Sequence, residues 1–136
     1  MSDTTTRVCN APRARVLIAD SQLHIWGADT AQRPWPHKVA PHRIVPFSAD
    51  DALREMDAAG VARAVLVPPW WEGERNDLVL DATRLYPQRF AAMGLFDADA
   101  ADAAWRLAAW RDQPGMLGFR FSSQDPKYRT ALADGR

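Results

Sequence analysis

Val16-Leu17-Ile18-Ala19-Asp20-Ser21-Gln22-Leu23-His24 is the stretch on which the fold is decided. A short apolar run, Val16 to Ala19, breaks into polar residues at Asp20. That is the pattern of a buried parallel strand whose carboxyl end opens into a loop. Upstream, residues 1–15 are polar, carry Arg7, Arg13 and Arg15, and lack the apolar core of a secretory signal. They read as a disordered tail ahead of a domain spanning residues 16–136. Downstream, residues 21–47 show no regular period and hold Trp26, Trp35 and four prolines. Two tryptophans argue for a packed loop, since disordered segments are poor in aromatics.

The same alternation recurs further along the chain. Ser48 with Asp51 has capping-box spacing and predicts a helix over Ala49–Ala59, closed by Gly60. A second strand is expected at Ala62–Val67, stopped by Pro68-Pro69. A loop, Trp70-Trp71-Glu72-Gly73-Glu74-Arg75, leads to Asn76 as N-cap of a helix over Asp77–Tyr86. A third strand is expected at Phe90–Phe96. A third helix follows at Asp99–Arg111, with Ala101, Ala104, Trp105 and Ala108 on its apolar stripe. Met116–Phe121 makes a fourth strand. Residues 122–136 are polar with no clear period. Strands alternating with helices of this length are the signature of α/β folds with right-handed βαβ units and a parallel sheet.

Composition narrows the function. The chain has 136 residues, 47% of them apolar, and 17 basic residues balance 17 acidic ones. Zero net charge excludes the basic footprint of a nucleic-acid binder. No apolar run reaches the roughly 18 residues of a membrane span. Cys9 is alone, so no intrachain disulfide and no thiolate zinc site can form, in keeping with a cytoplasmic location. There is no Gly-rich phosphate loop and no nucleophile elbow.

Sites in parallel α/β folds lie beyond the carboxyl ends of the strands. Trp26, Trp35, Trp70 and Trp71, four of six tryptophans, fall in the loops after the first two strands. Trp26, Trp70 and Trp71 are candidates to line a small-molecule pocket, or else simply pack the loops down. Gln22 and His24, two residues apart, point to one side if the chain stays extended. His24 is a candidate metal ligand or polar site residue. Gln22 is a poor ligand beside an imidazole. Arg120, between Phe119 and Phe121, faces away from both and is suited to hold a substrate carboxylate, with an internal salt bridge as the plainer role. Glu72 and Glu74 read as solvated. His37 and His42 lack ligand spacing to His24.

The residues from Val16 to Trp26 resemble the opening strand of the amidohydrolase-related family, the amidohydrolase 2 branch of its superfamily. Met56–Val67 is similar to the family's second unit. Asn76-Asp77 with Tyr86–Phe90 resembles its approach to strand three, and Gly115–Arg120 its fourth strand. The resemblance runs in order over residues 16–121. It implies the first half, strands one to four, of a TIM-like (β/α)8 barrel, which typically needs about 250 residues. It implies hydrolysis of C–O or C–N bonds in small molecules, or decarboxylation of aromatic acids. Many members hold a divalent metal such as zinc through Asp-x-His-x-His on strand one. Here the motif stands as Asp20-x-Gln22-x-His24. The remaining ligands and the catalytic Asp come from strands five to eight. Some relatives are metal-free lactonases that hold carboxylated rings with Arg.

The expected parent is therefore a cytoplasmic hydrolase of a small, carboxylated cyclic ester, lactone or amide. The present chain is expected to hold no metal and have little activity by itself. A non-catalytic half-barrel that binds a ligand, or self-associates through its open edge, is the competing expectation.

Overall fold

The computed structural model describes residues 16–36, 43–121 and 126–135. The tail expected over residues 1–15, with Cys9, and the loop histidines His37 and His42 lie outside them. Four strands and four helices alternate: β1 (Ala19–Leu23), α1 (Ala49–Ala59), β2 (Arg63–Leu66), α2 (Asp77–Leu85), β3 (Phe90–Leu95), α3 (Ala103–Ala108), β4 (Met116–Arg120) and α4 (Pro126–Ala133). The strands form one open sheet in the order β1-β2-β3-β4, every pair parallel. This is the expected βα succession of a half barrel.

Local chemistry explains the helix ends. Ser48 Oγ accepts from the Asp51 N–H, and the Asp51 carboxylate accepts from the Ser48 N–H, so the capping box is complete. The Ser48 backbone N–H, with help from its hydroxyl and from Arg54, holds the Asp51 carboxyl down at about 2. At the other end Gly60 takes φ 71°, a left-handed conformation that costs glycine nothing. The Val61 N–H then reaches back to the Met56 carbonyl at 2.8 Å, closing a Schellman turn. α4 begins on Pro126, where the missing N–H costs nothing. The polar character of residues 122–136 had hidden this helix.

The core lies between the sheet and the helices. Ala64 and Leu66 of β2, Phe90 and Ala92 of β3 and Met116 of β4 turn one face toward Ala52, Met56, Val79 and Ala82. Alternate residues Val65, Ala91, Met93 and Leu95 turn the other way and are only half buried. The strand at the amino end departs from expectation. Val16, read as buried, is 81% exposed, and Leu17 and Ile18 are exposed too. The Ile18 carbonyl does accept the Ala62 N–H at 2.9 Å, so pairing with the second strand starts there. β1 is an edge strand, and no described element covers its outer side.

Two further expectations are corrected. Asn76 stands at the N-cap of α2 as expected, but its side chain makes no capping hydrogen bond. Its amide instead donates to the Leu95 carbonyl at 3.0 Å and accepts the Leu95 N–H at 2.8 Å, satisfying the backbone at the end of β3. The apolar stripe proposed for the third helix faces outward, with Trp105 74% exposed. The helix is short, and the 3-10 turn Trp110–Asp112 that follows it buries Trp110. That indole packs edge-on to Phe96 at 5.0 Å and donates to the Gly118 carbonyl at 3.0 Å.

Candidate active site

The carboxyl end of β1 carries the first part of the site. The Asp20 carboxylate accepts the Gln22 N–H at 2.8 Å, a local turn that accompanies the irregular register between Asp20 and Leu23. Leu23 packs on the core side. Gln22 and His24 flank it and come together, with Gln22 Nε2 3.4 Å from His24 Nε2. His24 Nδ1 lies 2.7 Å from the Val67 carbonyl. A carbonyl oxygen only accepts, so Nδ1 carries the proton. In the neutral ring Nε2 is then a bare acceptor beside the Gln22 amide donor. A backbone carbonyl orienting one imidazole nitrogen so that the other is presented is a recurrent way of preparing a ligand or base.

Arg120 closes β4, opposite Leu95 of β3. Its neighbours Phe119 and Phe121 contact each other at 5.0 Å, and Phe119 stacks on Phe96 at 5.2 Å. Strand alternation sets the guanidinium on the other face, the one bearing Leu95. Arg120 is half buried and forms no ion pair with any described residue. The internal salt bridge weighed for it is therefore not found among the described residues. Gln22 and His24 are together at one edge of the sheet, and Arg120 stands at the other edge, at the same strand ends.

The loops above these ends are tied by a charge cluster that the sequence did not disclose. Glu72, expected to be solvated, is 2% exposed. The 3-10 turn Trp70–Glu72 folds it under the loop that follows β1. Its carboxylate accepts the Gly27 N–H at 2.7 Å and Arg33 Nε at 2.9 Å, with Arg75 at 3.4 Å. Arg33 also grips the Asp77 carboxylate with both terminal nitrogens, at 2.7 and 2.9 Å. Those hydrogen bonds hold the Asp77 carboxyl below the usual range and raise the Arg33 guanidinium. A Cβ at Gly27 would stand 2.9 Å from Arg33 Cδ and Nε, so a side chain there would push Arg33 out of its place between Glu72 and Asp77.

The tryptophans divide on this frame. Trp26 is 5% exposed, a core residue, bridged to Phe47 and packed edge-on to Trp71 at 5.5 Å. Trp71 is half buried, and Trp70 is exposed beside it. No described group accepts from the buried Nε1 of Trp35 or of Trp71.

A zinc site needs three or four nitrogen, sulfur or carboxylate ligands. Among the described residues no group of three or more His, Cys, Asp or Glu is placed to hold a metal. One imidazole beside a carboxamide does not make up such a set, so no step below is routed through a metal.

Comparison with known proteins bears on the family and the fold. The family model described as Amidohydrolase matches residues 19–134. The chain belongs to the amidohydrolase family. No curated protein matches it in sequence. Among solved structures it is similar to a probable 2-pyrone-4,6-dicarboxylic acid hydrolase from Acinetobacter baumannii with citric acid bound. That match has 17% identity and TM-score 0.62, covering 88% of this chain and 45% of the other. An amidohydrolase from Burkholderia multivorans with bound zinc matches at 24% identity and TM-score 0.62, covering 88% and 42%. The chain thus spans less than half the length of these structures, and its four strands correspond to half of a TIM-like barrel. No helix among the described residues is long and apolar enough to cross a membrane.

Proposed function

We propose that this chain supplies the substrate-orienting half of an amidohydrolase that hydrolyses a small, carboxylated cyclic ester, lactone or amide. The observation that carries the reading is Arg120, a strand-end guanidinium with no ion-pair partner among the described residues, on the same mouth as Gln22 and His24. A guanidinium so placed holds a carboxylate by a two-pronged hydrogen bond. The Gln22 amide donates to the scissile carbonyl, where negative charge grows as water attacks. The bare Nε2 of His24 accepts a hydrogen bond from that water and orients it. The general base itself is not among these residues. The first of the two related structures is named for a dicarboxylated pyrone, a cyclic ester, and holds citrate. This supports the reading by likeness of fold.

The experiment joins this chain to the carboxy-terminal half of the Burkholderia amidohydrolase and compares carboxylated with neutral lactones. The joined barrel is expected to prefer the carboxylated lactone, and the 136-residue chain alone to turn over neither. Arg120→Met should raise KM for the carboxylated substrate about tenfold to hundredfold, the worth of a charged hydrogen bond, and leave the neutral one unchanged. Equal losses on both substrates would contradict the proposal.

A further inference from the structure

The proton on His24 sets the orientation of its neighbour. With Nδ1–H given to the Val67 carbonyl at 2.7 Å, Nε2 of the neutral ring keeps a lone pair and no hydrogen. The part of the Gln22 carboxamide that stands 3.4 Å from it is therefore the NH2 group, since a carbonyl oxygen there would face acceptor to acceptor. The amide thus aims a donor, the positive end of its dipole, at the atom a metal ion would bind. Its nitrogen donates only and ligates nothing. The Asp20 carboxylate, two residues back, is turned onto the Gln22 N–H at 2.8 Å. In every other respect the ring is prepared as a ligand, one nitrogen anchored on a backbone carbonyl and the other presented.

We infer that Gln22 keeps divalent metal ions off His24, and that this one side chain decides whether the end of β1 binds metal. A cation approaching Nε2 must first displace the amide donor and then meets its positive end. Turned over, the carboxamide would offer its oxygen, a poor ligand for zinc beside an imidazole. An imidazole at position 22 would instead put two ligating nitrogens on one side of the strand, a chelating pair. The inference concerns an occupied lone pair, so it holds for this chain alone and for a longer one that brings further ligands. A water, which carries donors of its own, replaces the amide at Nε2 without that repulsion. The inference therefore does not rest on the hydrolytic reading and is compatible with it.

Zinc chloride titrated into the purified chain, followed by nitrogen NMR at His24, tests this. Reading Nε2 of His24 itself sets aside zinc bound elsewhere on the chain. Equimolar zinc should leave that resonance of the parent chain in place. Gln22→His should bind zinc at His24 at least about tenfold more tightly than the parent, because the second ring binds intramolecularly. Gln22→Leu removes the donor and adds no ligand, so it separates blocking from a mere shortage of ligands. Its zinc affinity at His24 should rise about threefold to tenfold, the worth of the lost hydrogen bond. Amides of β2 and β3 report that each variant is folded. A parent chain that takes zinc at His24 as tightly as Gln22→His would overturn the inference. So would a folded Gln22→Leu that binds zinc no better than the parent, and this comparison decides even if Gln22→His does not fold.

Discussion

Glu72→Ala is expected to cost the fold about 3–5 kcal/mol, the usual penalty for removing one partner of a buried charge cluster. The carboxylate is the common acceptor for the Gly27 N–H, Arg33 and Arg75. Without it the Gly27 N–H loses its acceptor, and the partly buried Arg33 and Arg75 lose a counter-charge, Arg33 keeping only Asp77. The loss should concentrate in the loops after β1 and β2, because Glu72 belongs to one and Gly27 and Arg33 to the other. Urea unfolding of the variant against the parent chain measures it. Glu55→Ala, on the exposed side of α1, is the control and should fall within about 0.5 kcal/mol of the parent. A Glu72→Ala loss no larger than the control would show that the cluster is an ordinary surface pairing.

Trp110→Ala is expected to be comparably severe, about 3–5 kcal/mol, by opening a cavity against Phe96 and Phe119 and freeing the Gly118 carbonyl. Trp105→Ala, five residues earlier, should change stability by no more than about 0.5 kcal/mol. The contrast is informative because both tryptophans lie within one short segment. Thermal or denaturant unfolding of the two variants separates them. Similar losses would mean that Trp105, not only Trp110, anchors this layer.

What the sequence disclosed and what it hid divide along the range of the forces involved. α1 was legible to the residue because its start and stop are local: Ser48, Asp51 and Gly60 act within four positions of their targets. The order of strands and helices was legible from period and from proline and glycine punctuation. Burial was not. Val16-Leu17-Ile18 are suited to a buried strand, yet suitability does not place a neighbour beside them. The burial of Glu72 and the side-chain bonds of the N-cap residue Asn76 were missed because their partners, Gly27 and Arg33 in one case and Leu95 in the other, are brought in by tertiary folding. Trp110 was passed over because an alanine-rich stripe with Trp105 mimics an apolar face, while the 3-10 turn that buries Trp110 leaves no periodic signal. Of the site, the pairing of Gln22 with His24 followed from a spacing of two, and the outlook of Arg120 from its place between two phenylalanines. The ring orientation of His24 depends on Val67, forty-three residues away, and no local pattern encodes it.

The orientation of the His24 ring is open to direct measurement. A proton-coupled nitrogen NMR spectrum of His24 in the purified chain, taken with the ring neutral, reads which nitrogen carries the proton. The geometry predicts a protonated Nδ1 held by the Val67 carbonyl and a bare Nε2 facing the Gln22 amide. A ring protonated on Nε2 would contradict it, and with it the role given to His24 at the strand ends.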